Sequence, residues 1–238
     1  MRAQTGEFIA EGPQAVREAL VVPGVVLEVF ATARYEHWRV DGVLWSQVSD
    51  DELAEIADAV TPQGIVARCA SVLQPLSTLQ ADLQLVAVGV GVRDPGNAGS
   101  LVRAADAAGA DAVVFAGDTV DPLNPKAVRA TVGSLFHLPV VVEPDVATVL
   151  EAMRQRGIRM LAADGGGERS LFQLELDGRT AWLFGNEAHG MSADVLQEAD
   201  ERVAIPIYGR AESLNLATAA AVCLYASARA QRRPTVIE

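Results

Sequence analysis

Apolar residues fall along this chain in short, nearly unbroken runs: VVLEVFAT, LQLVAVGV, DAVVFAG, LPVVVE, IRMLAAD and TAWLF. Between them lie polar loops and longer stretches with apolar residues at helical spacing. Unbroken runs of about 4–8 apolar residues mark strands covered on both faces, and their alternation with helices predicts a parallel-sheet α/β fold.

The first third of the chain predicts a smaller α/β or α+β module. GEFIAEG reads as a strand, and Pro13–Leu20 as a helix with proline in its first turn. Val25–Thr32 is the next strand, and VDGVLWSQVS holds a turn and another. Ser49 then caps DDELAEIADAV, with Glu52 three residues on completing a capping box. GIVARCAS is a last strand, and QPLSTLQADLQ is the connection, which divides the chain into residues 1–78 and 79–238.

From LQLVAVGV onward the strands and helices alternate strictly. A glycine-rich loop leads into a helix closed by Gly109, then come DAVVFAG, a helix over Asn124–Val132, and LPVVVE. Val146–Arg156 is a helix closed by Gly157. IRMLAAD, TAWLFGN, a helix near Ser192–Glu198 and the strand RVAIPI follow. The last helix is expected to start at Ser213 as its cap, with Asn215 in its first turn, and to run to about Gln231.

Composition narrows the function. The 238 residues are 50% hydrophobic and 21% charged, which is globular. A net charge of -12 argues against sequence-independent phosphate binding by a broad basic face. The acidity is shared: residues 1–82 carry 5 Lys+Arg against 12 Asp+Glu, and residues 83–238 carry 14 against 19. Eighteen of the basic residues are arginines, and Arg93, Arg103 and Arg129 lie near polar loops where a local cluster can still grip a phosphate. Cys69 and Cys223 sit far apart in apolar contexts and are expected to be buried free thiols of a reducing compartment. No apolar run reaches the ~20 residues of a membrane span, and MRAQTGEF has no signal-peptide core, so a soluble cytoplasmic protein is expected. No Cys/His spacing suggests a metal.

Three segments carry candidate chemistry. In VGVRDPGNAGSLVRAADAAGAD, Gly89 and Gly91 are followed by Asp94 where a dinucleotide fingerprint needs its third glycine, so a nicotinamide site fails on spacing. Asn97 and Arg103 remain, six residues apart at a helix start, readable as cap and surface charge or as ligand contacts. In LFGNEAHGMS a strand ends at Gly185, and the loop carries Asn186, Glu187, His189 and Gly190. Its glycines allow the backbone to approach a ligand closely. In IPIYGRAESLNLATAAA, Ser213 and Asn215 stand at the start of a helix, which is either an ordinary cap or a polar binding site.

Taken together, in this order and separation, these segments resemble the SpoU family of RNA 2′-O-ribose methyltransferases of the SPOUT superfamily. The resemblance covers residues 84–230, including VDPLNPKAVRATVGSLFHLPVV. EFIAEGPQAVREAL and VLEVFAT are similar to that family's small substrate-binding domain, which is L30e-like. Members often carry a basic segment ahead of this point, and lacking one is expected to weaken RNA binding.

The resemblance implies an α/β catalytic domain with a trefoil knot near its C-terminus, a homodimer, and S-adenosylmethionine as cofactor. The cofactor loops map onto Ala163, Asp164 and Gly165; Leu183, Gly185, Asn186 and Gly190; Ile205 and Ile207; and Ser213 and Leu214. Backbone groups of Gly185, Ile205 and Leu214 would hold the adenine and ribose. Arg103, Asn97, Glu187, Ser213 and Asn215 map onto the catalytic set, with Arg103 and Asn97 close to the partner subunit. The implied reaction is methyl transfer to a ribose 2′-hydroxyl, with 23S-type ribosomal RNA favoured as substrate. Transfer RNA, or a non-catalytic RNA-binding knot protein, are the alternatives.

Overall fold

The computed structural model describes residues 6–186 and 189–232. It contains two sheets, and one of its two clusters of buried apolar residues runs through both.

The N-terminal unit runs β1 (Glu7–Glu11), α1 (Pro13–Val21), β2 (Val26–Ala31), β3 (Leu44–Gln47), α2 (Asp50–Ile56) and β4 (Ile65–Ala70). Its strand order is β1-β4-β2-β3. β4 lies antiparallel to both β1 and β2, while β2 and β3 are parallel. The last strand in sequence is therefore central, which its almost wholly apolar IVARCA explains. The capping box forms as expected: Ser49 accepts from the Glu52 N–H and the Glu52 carboxylate accepts from the Ser49 N–H. A 3₁₀ turn over Ala33–Trp38 was not anticipated.

The second sheet has seven strands: β5 (Leu85–Val90), β6 (Ala112–Ala116), β7 (Val140–Glu143), β8 (Arg159–Ala163), β9 (Arg169–Ser170), β10 (Thr180–Phe184) and β11 (Glu201–Ala204). Their order is β7-β6-β5-β10-β8-β11-β9, with every pair parallel. The helices are α3 (Pro95–Ala108), α4 (Pro125–Thr131), α5 (Val146–Gln155), α6 (Ala193–Glu198) and α7 (Leu216–Gln231). β5, β6 and β10 are buried at every position, as their unbroken apolar runs require. From β5 the chain builds outward through β6 to β7, then crosses to β8 on the other side of β10. The order reverses between β5 and β10. In an open parallel sheet the crevice at the carboxyl ends of such strands is the place for a ligand.

α3 shows how local sequence sets position. Asp94 caps it through the Asn97 N–H at 2.8 Å, Pro95 fills its first turn, and Gly109 ends it in the left-handed region. At Gly99 a Cβ would strike the Ala127 carbonyl and come within 2.6 Å of the Ala130 Cβ, so glycine lets α4 cross directly on α3. α7 packs on the sheet through Leu216, Ala220, Cys223 and Leu224, and buried Trp182 donates its indole N–H to Ser227 Oγ at 2.9 Å.

The two units are not loosely strung. Phe8 stacks on Phe136 at 6.1 Å, and Leu73 bridges to Val140. Arg129 of α4 donates to Glu11 and to Asp58, both at 2.9 Å. Glu11, only 5% exposed at its side chain, also accepts from the Asp58 and Ala59 N–H groups. Arg129 thus docks the units together rather than standing ready for a phosphate. Both cysteines are free and buried, and burial pushes each thiol up to about 12.

Candidate active site

At the carboxyl ends of β8, β10 and β11, two adjoining pockets open against the start of α7, with volumes of about 170 and 190 Å³. Ala163, Asp164, Gly165, Ser213, Leu214 and Ala219 line both. Val203, Ile205, Ile207 and Glu212 complete the first; Phe184, Gly185, Asn186, Gly190, Met191 and Leu216 complete the second. Of the expected cofactor residues, only Leu183 is absent from the lining. It points into the core with no exposed surface, because β10 is covered on both faces.

Each wall has a local cause. The β10 loop folds back on itself: Asn186 and Gly190 exchange backbone hydrogen bonds of 3.1 and 2.8 Å, and Gly190 takes φ 65°. A Cβ on Gly185 would lie 2.6 Å from the Gly190 carbonyl carbon, so only glycine permits the fold-back. Asn186 Nδ2 donates to the Gly91 carbonyl at 2.8 Å, tying this loop to the end of β5 across the switch point. The Asp164 carboxylate accepts from Arg202 at 2.7 and 3.1 Å, which fixes the β8 wall. The expected strand RVAIPI ends at Ala204, and Ile205–Ile207 leave the sheet to form the third wall.

The start of α7 departs from expectation. The cap is Asn215, not Ser213: its Oδ1 accepts from the Ala217 N–H at 2.9 Å, and the helix begins at Leu216. Ser213 stands two residues earlier, exposed on the pocket wall. Asn97 is likewise not a cap, since Asp94 takes that place. Instead its Oδ1 accepts from Asn215 Nδ2 at 3.0 Å. The first and third motifs therefore meet through their asparagines. The Asn97 backbone N–H holds the Asp94 carboxyl below the usual carboxylate range, with Lys126 adding to the effect.

Arg103 lies on the exposed face of α3, two turns beyond Asn97, and makes no hydrogen bond or ion pair to any described residue. Its guanidinium is available to an incoming anion. His189 is an exposed loop residue. Glu187 lies outside the described residues. Glu212 and Met191 are pocket residues that sequence reasoning missed; Glu212's only signal was its place beside Ser213. No His/Cys/Asp/Glu cluster able to hold a metal exists among the described residues.

Comparison with known proteins places the chain in a family. Residues 1–67 match the MRM3-like substrate binding domain. The 23S rRNA (guanosine(2553)-2′-O)-methyltransferase RlmP of Bacillus subtilis (strain 168) is 35% identical over 229 residues, covering 94% of this chain and 89% of that protein. The 23S rRNA (guanosine-2′-O-)-methyltransferase RlmB of Pseudomonas aeruginosa is 33% identical over 190 residues, 77% of this chain and 76% of that protein. The crystal structure of the SpoU methyltransferase AviRb from Streptomyces viridochromogenes, in complex with the cofactor AdoMet, superposes with a TM-score of 0.86 at 29% identity, over 96% of this chain and 92% of that one. Residues 84–225, more than half the chain and all three motifs, match the SpoU rRNA Methylase family, and the protein belongs to that family.

Proposed function

We propose that the pocket between β8, β10, β11 and α7 holds S-adenosylmethionine, and that the Asn97–Asn215 pair marks where a ribose 2′-hydroxyl of 23S-type rRNA is methylated. The chain is an S-adenosylmethionine-dependent RNA 2′-O-methyltransferase, the activity named for its relatives. The observation that carries the site assignment is the 3.0 Å bond from Asn215 to Asn97 at the edge of the pocket, which brings motifs 118 residues apart to one point.

The pocket suits the cofactor. Val203, Ile205, Leu214 and Ala219 offer apolar walls to an adenine, while Glu212 presents a carboxylate to a molecule bearing a sulfonium and an ammonium. Bound there, S-adenosylmethionine supplies an electrophilic methyl group. Backbone groups of Gly185, Ile205 and Leu214 hold its adenine and ribose.

The chain's own residues must align the hydroxyl and manage its charge. Asn97, Ser213 and Asn215 orient it. Arg103 grips a neighbouring phosphate and stabilises the alkoxide that develops as the proton leaves. Arginine is not cast as the base, because its pKa lies above about 12. Glu187 holds an arginine or the cofactor amine.

Residues 1–78 act as the L30e-like RNA-binding domain and 79–238 as the catalytic domain with its C-terminal knot. The meeting of residues 163–165, 185–186, 190–191, 205, 207 and 212–214 around one pocket is in keeping with the knot. Two chains form the working dimer, in keeping with Arg103's exposure on α3. The protein works in the cytoplasm; no described helix is long and apolar enough to cross a membrane. Ribosomal RNA is favoured over transfer RNA because the 23S rRNA methyltransferase from B. subtilis aligns over 94% of the chain, the N-terminal unit included. A non-catalytic role is disfavoured because every motif residue is present.

Two measurements test the reading. Calorimetric titration with S-adenosylmethionine should show saturable heat. Mapping 2′-O-methyl groups in 23S rRNA from cells with and without the protein should reveal one site lost. No heat and no lost site would reject it.

A further inference from the structure

The cofactor pocket lies on the β10 and β8 side of the switch point, so the RNA must reach Asn97 from the β5 and β6 side. The loops that follow those two strands lie against each other there, joined by the Gly91 N–H on the Ala116 carbonyl at 2.9 Å and the Val120 N–H on the Val92 carbonyl at 2.8 Å. Two cations stand on this rim, each held by a carboxylate of the other loop. Arg93 donates to Asp118 at 2.6 Å, and Lys126 Nζ lies 3.3 Å from Asp94 Oδ2.

Lys126 is the only lysine in the chain. It occupies the first turn of α4, and the close crossing at Gly99 holds that helix directly on α3. Its Cε comes 3.9 Å from where a Cβ on Gly96 would be, beside the residue that precedes Asn97. The ammonium is therefore next to the end of α3 that carries the catalytic asparagine. Its partner Asp94 already has a structural task, accepting the Asn97 N–H, and does not depend on the lysine for its place.

We propose that Lys126 is a substrate-positioning residue that binds an RNA backbone phosphate beside the methylated ribose, with Asp94 holding it until the RNA arrives. The assignment rests on the methyl-transfer reading. Lys126 and Asp94 are 60% and 45% exposed, and an exposed pair of this kind adds little stability, so a phosphate displaces the carboxylate at little cost. A lysine ammonium is a mobile point charge with three donors and no acceptor, suited to a phosphate and unsuited to reading a base. On a chain of net charge -12, such a contact matters more than on a basic one, because no general field draws RNA in.

The single lysine makes the test direct. An amine-reactive acylating reagent, followed by peptide mass mapping, reports on Lys126 with and without an unmodified 23S rRNA transcript. Strong protection by the transcript, and none by S-adenosylmethionine alone, is expected. In binding titrations over a range of salt, Lys126→Ala should lower the slope of log K against log salt by about one, while Lys126→Arg restores it. The loss in turnover should fall mainly on KM for RNA. Methylation of the transcript with Lys126 still fully reactive, and a Lys126→Ala slope equal to that of the unaltered protein, overturns this proposal while leaving the enzyme reading intact. A protein that neither binds nor methylates the transcript overturns both.

Discussion

Asn215 donates its side-chain N–H to the Asn97 carboxamide oxygen at 3.0 Å, and its own oxygen accepts the Ala217 N–H at 2.9 Å. One amide thus caps α7 with one end and reaches the first motif with the other. A carboxylate could perform the first task but not the second. Asn215→Asp should keep the helix cap and near-normal melting, yet lower methyl transfer by about 100-fold through misplacement of Asn97. Asn97→Ala should do the same, and the double variant should lose less than the sum of the two. Wild-type turnover in Asn215→Asp would show that the contact is only structural.

Arg103 is exposed and lacks a described partner, so its substitution should spare the fold. Arg103→Ala is expected to reduce kcat by about 100- to 1,000-fold, as loss of a donor to developing negative charge does. Arg103→Lys keeps the charge without the planar fork and should fall between. Near-normal rates in both variants of a single-turnover assay would remove any essential role.

Arg129 is the counter-ion of a carboxylate that is 5% exposed. Removing it leaves Glu11 buried with two backbone N–H partners and no charge partner. Arg129→Ala should destabilise the chain by about 2–3 kcal/mol in urea unfolding, below the full cost of breaking a buried pair because the arginine is itself a third exposed. A change under about 0.5 kcal/mol, the range of an ordinary surface substitution, would contradict the docking role.

His137 joins the units by a second route, 2.8 Å from Asp106 of α3 and 3.3 Å from Glu18 of α1. The Asp106 carboxylate, and then Glu18, raise its pKa above the ordinary histidine value. A raised folded-state pKa means that the stabilisation is complete below the unfolded value of about 6.5 and is lost as pH climbs through the folded value. The melting-temperature advantage of wild type over His137→Gln should therefore shrink as pH is raised above about 6.5. An advantage that stays level over that rise would exclude the charged contact.

Several features are legible in the sequence alone. The fully buried strands β5, β6 and β10 announced themselves as unbroken apolar runs, because a strand covered on both faces has no polar side to show. Gly109 and the capping box at Ser49 and Glu52 marked helix ends through conformational and hydrogen-bonding preferences that act within a few residues. Other features were misread for the same reason. Ser213 and Asn215 are both good caps, and local preference does not choose between them; the helix begins where Leu216 can enter the core and Asn215 can reach Asn97.

By itself, the sequence determined the alternation of strands and helices, the division into a smaller and a larger unit, and the motif residues that mark the family. All of these rest on periodicity and on short-range spacing. Only the tertiary structure decided that GIVARCAS is a central strand, that Arg129 is spent on docking, that Leu183 faces the core, and that Lys126 stands on Asp94 at the start of α3, close to Asn97. Each depends on strand order or helix crossing, which are set by how the whole apolar surface can be buried at once. The two asparagines illustrate the difference: sequence supplied both amides, and the packing of α7 against α3 brought them to 3.0 Å.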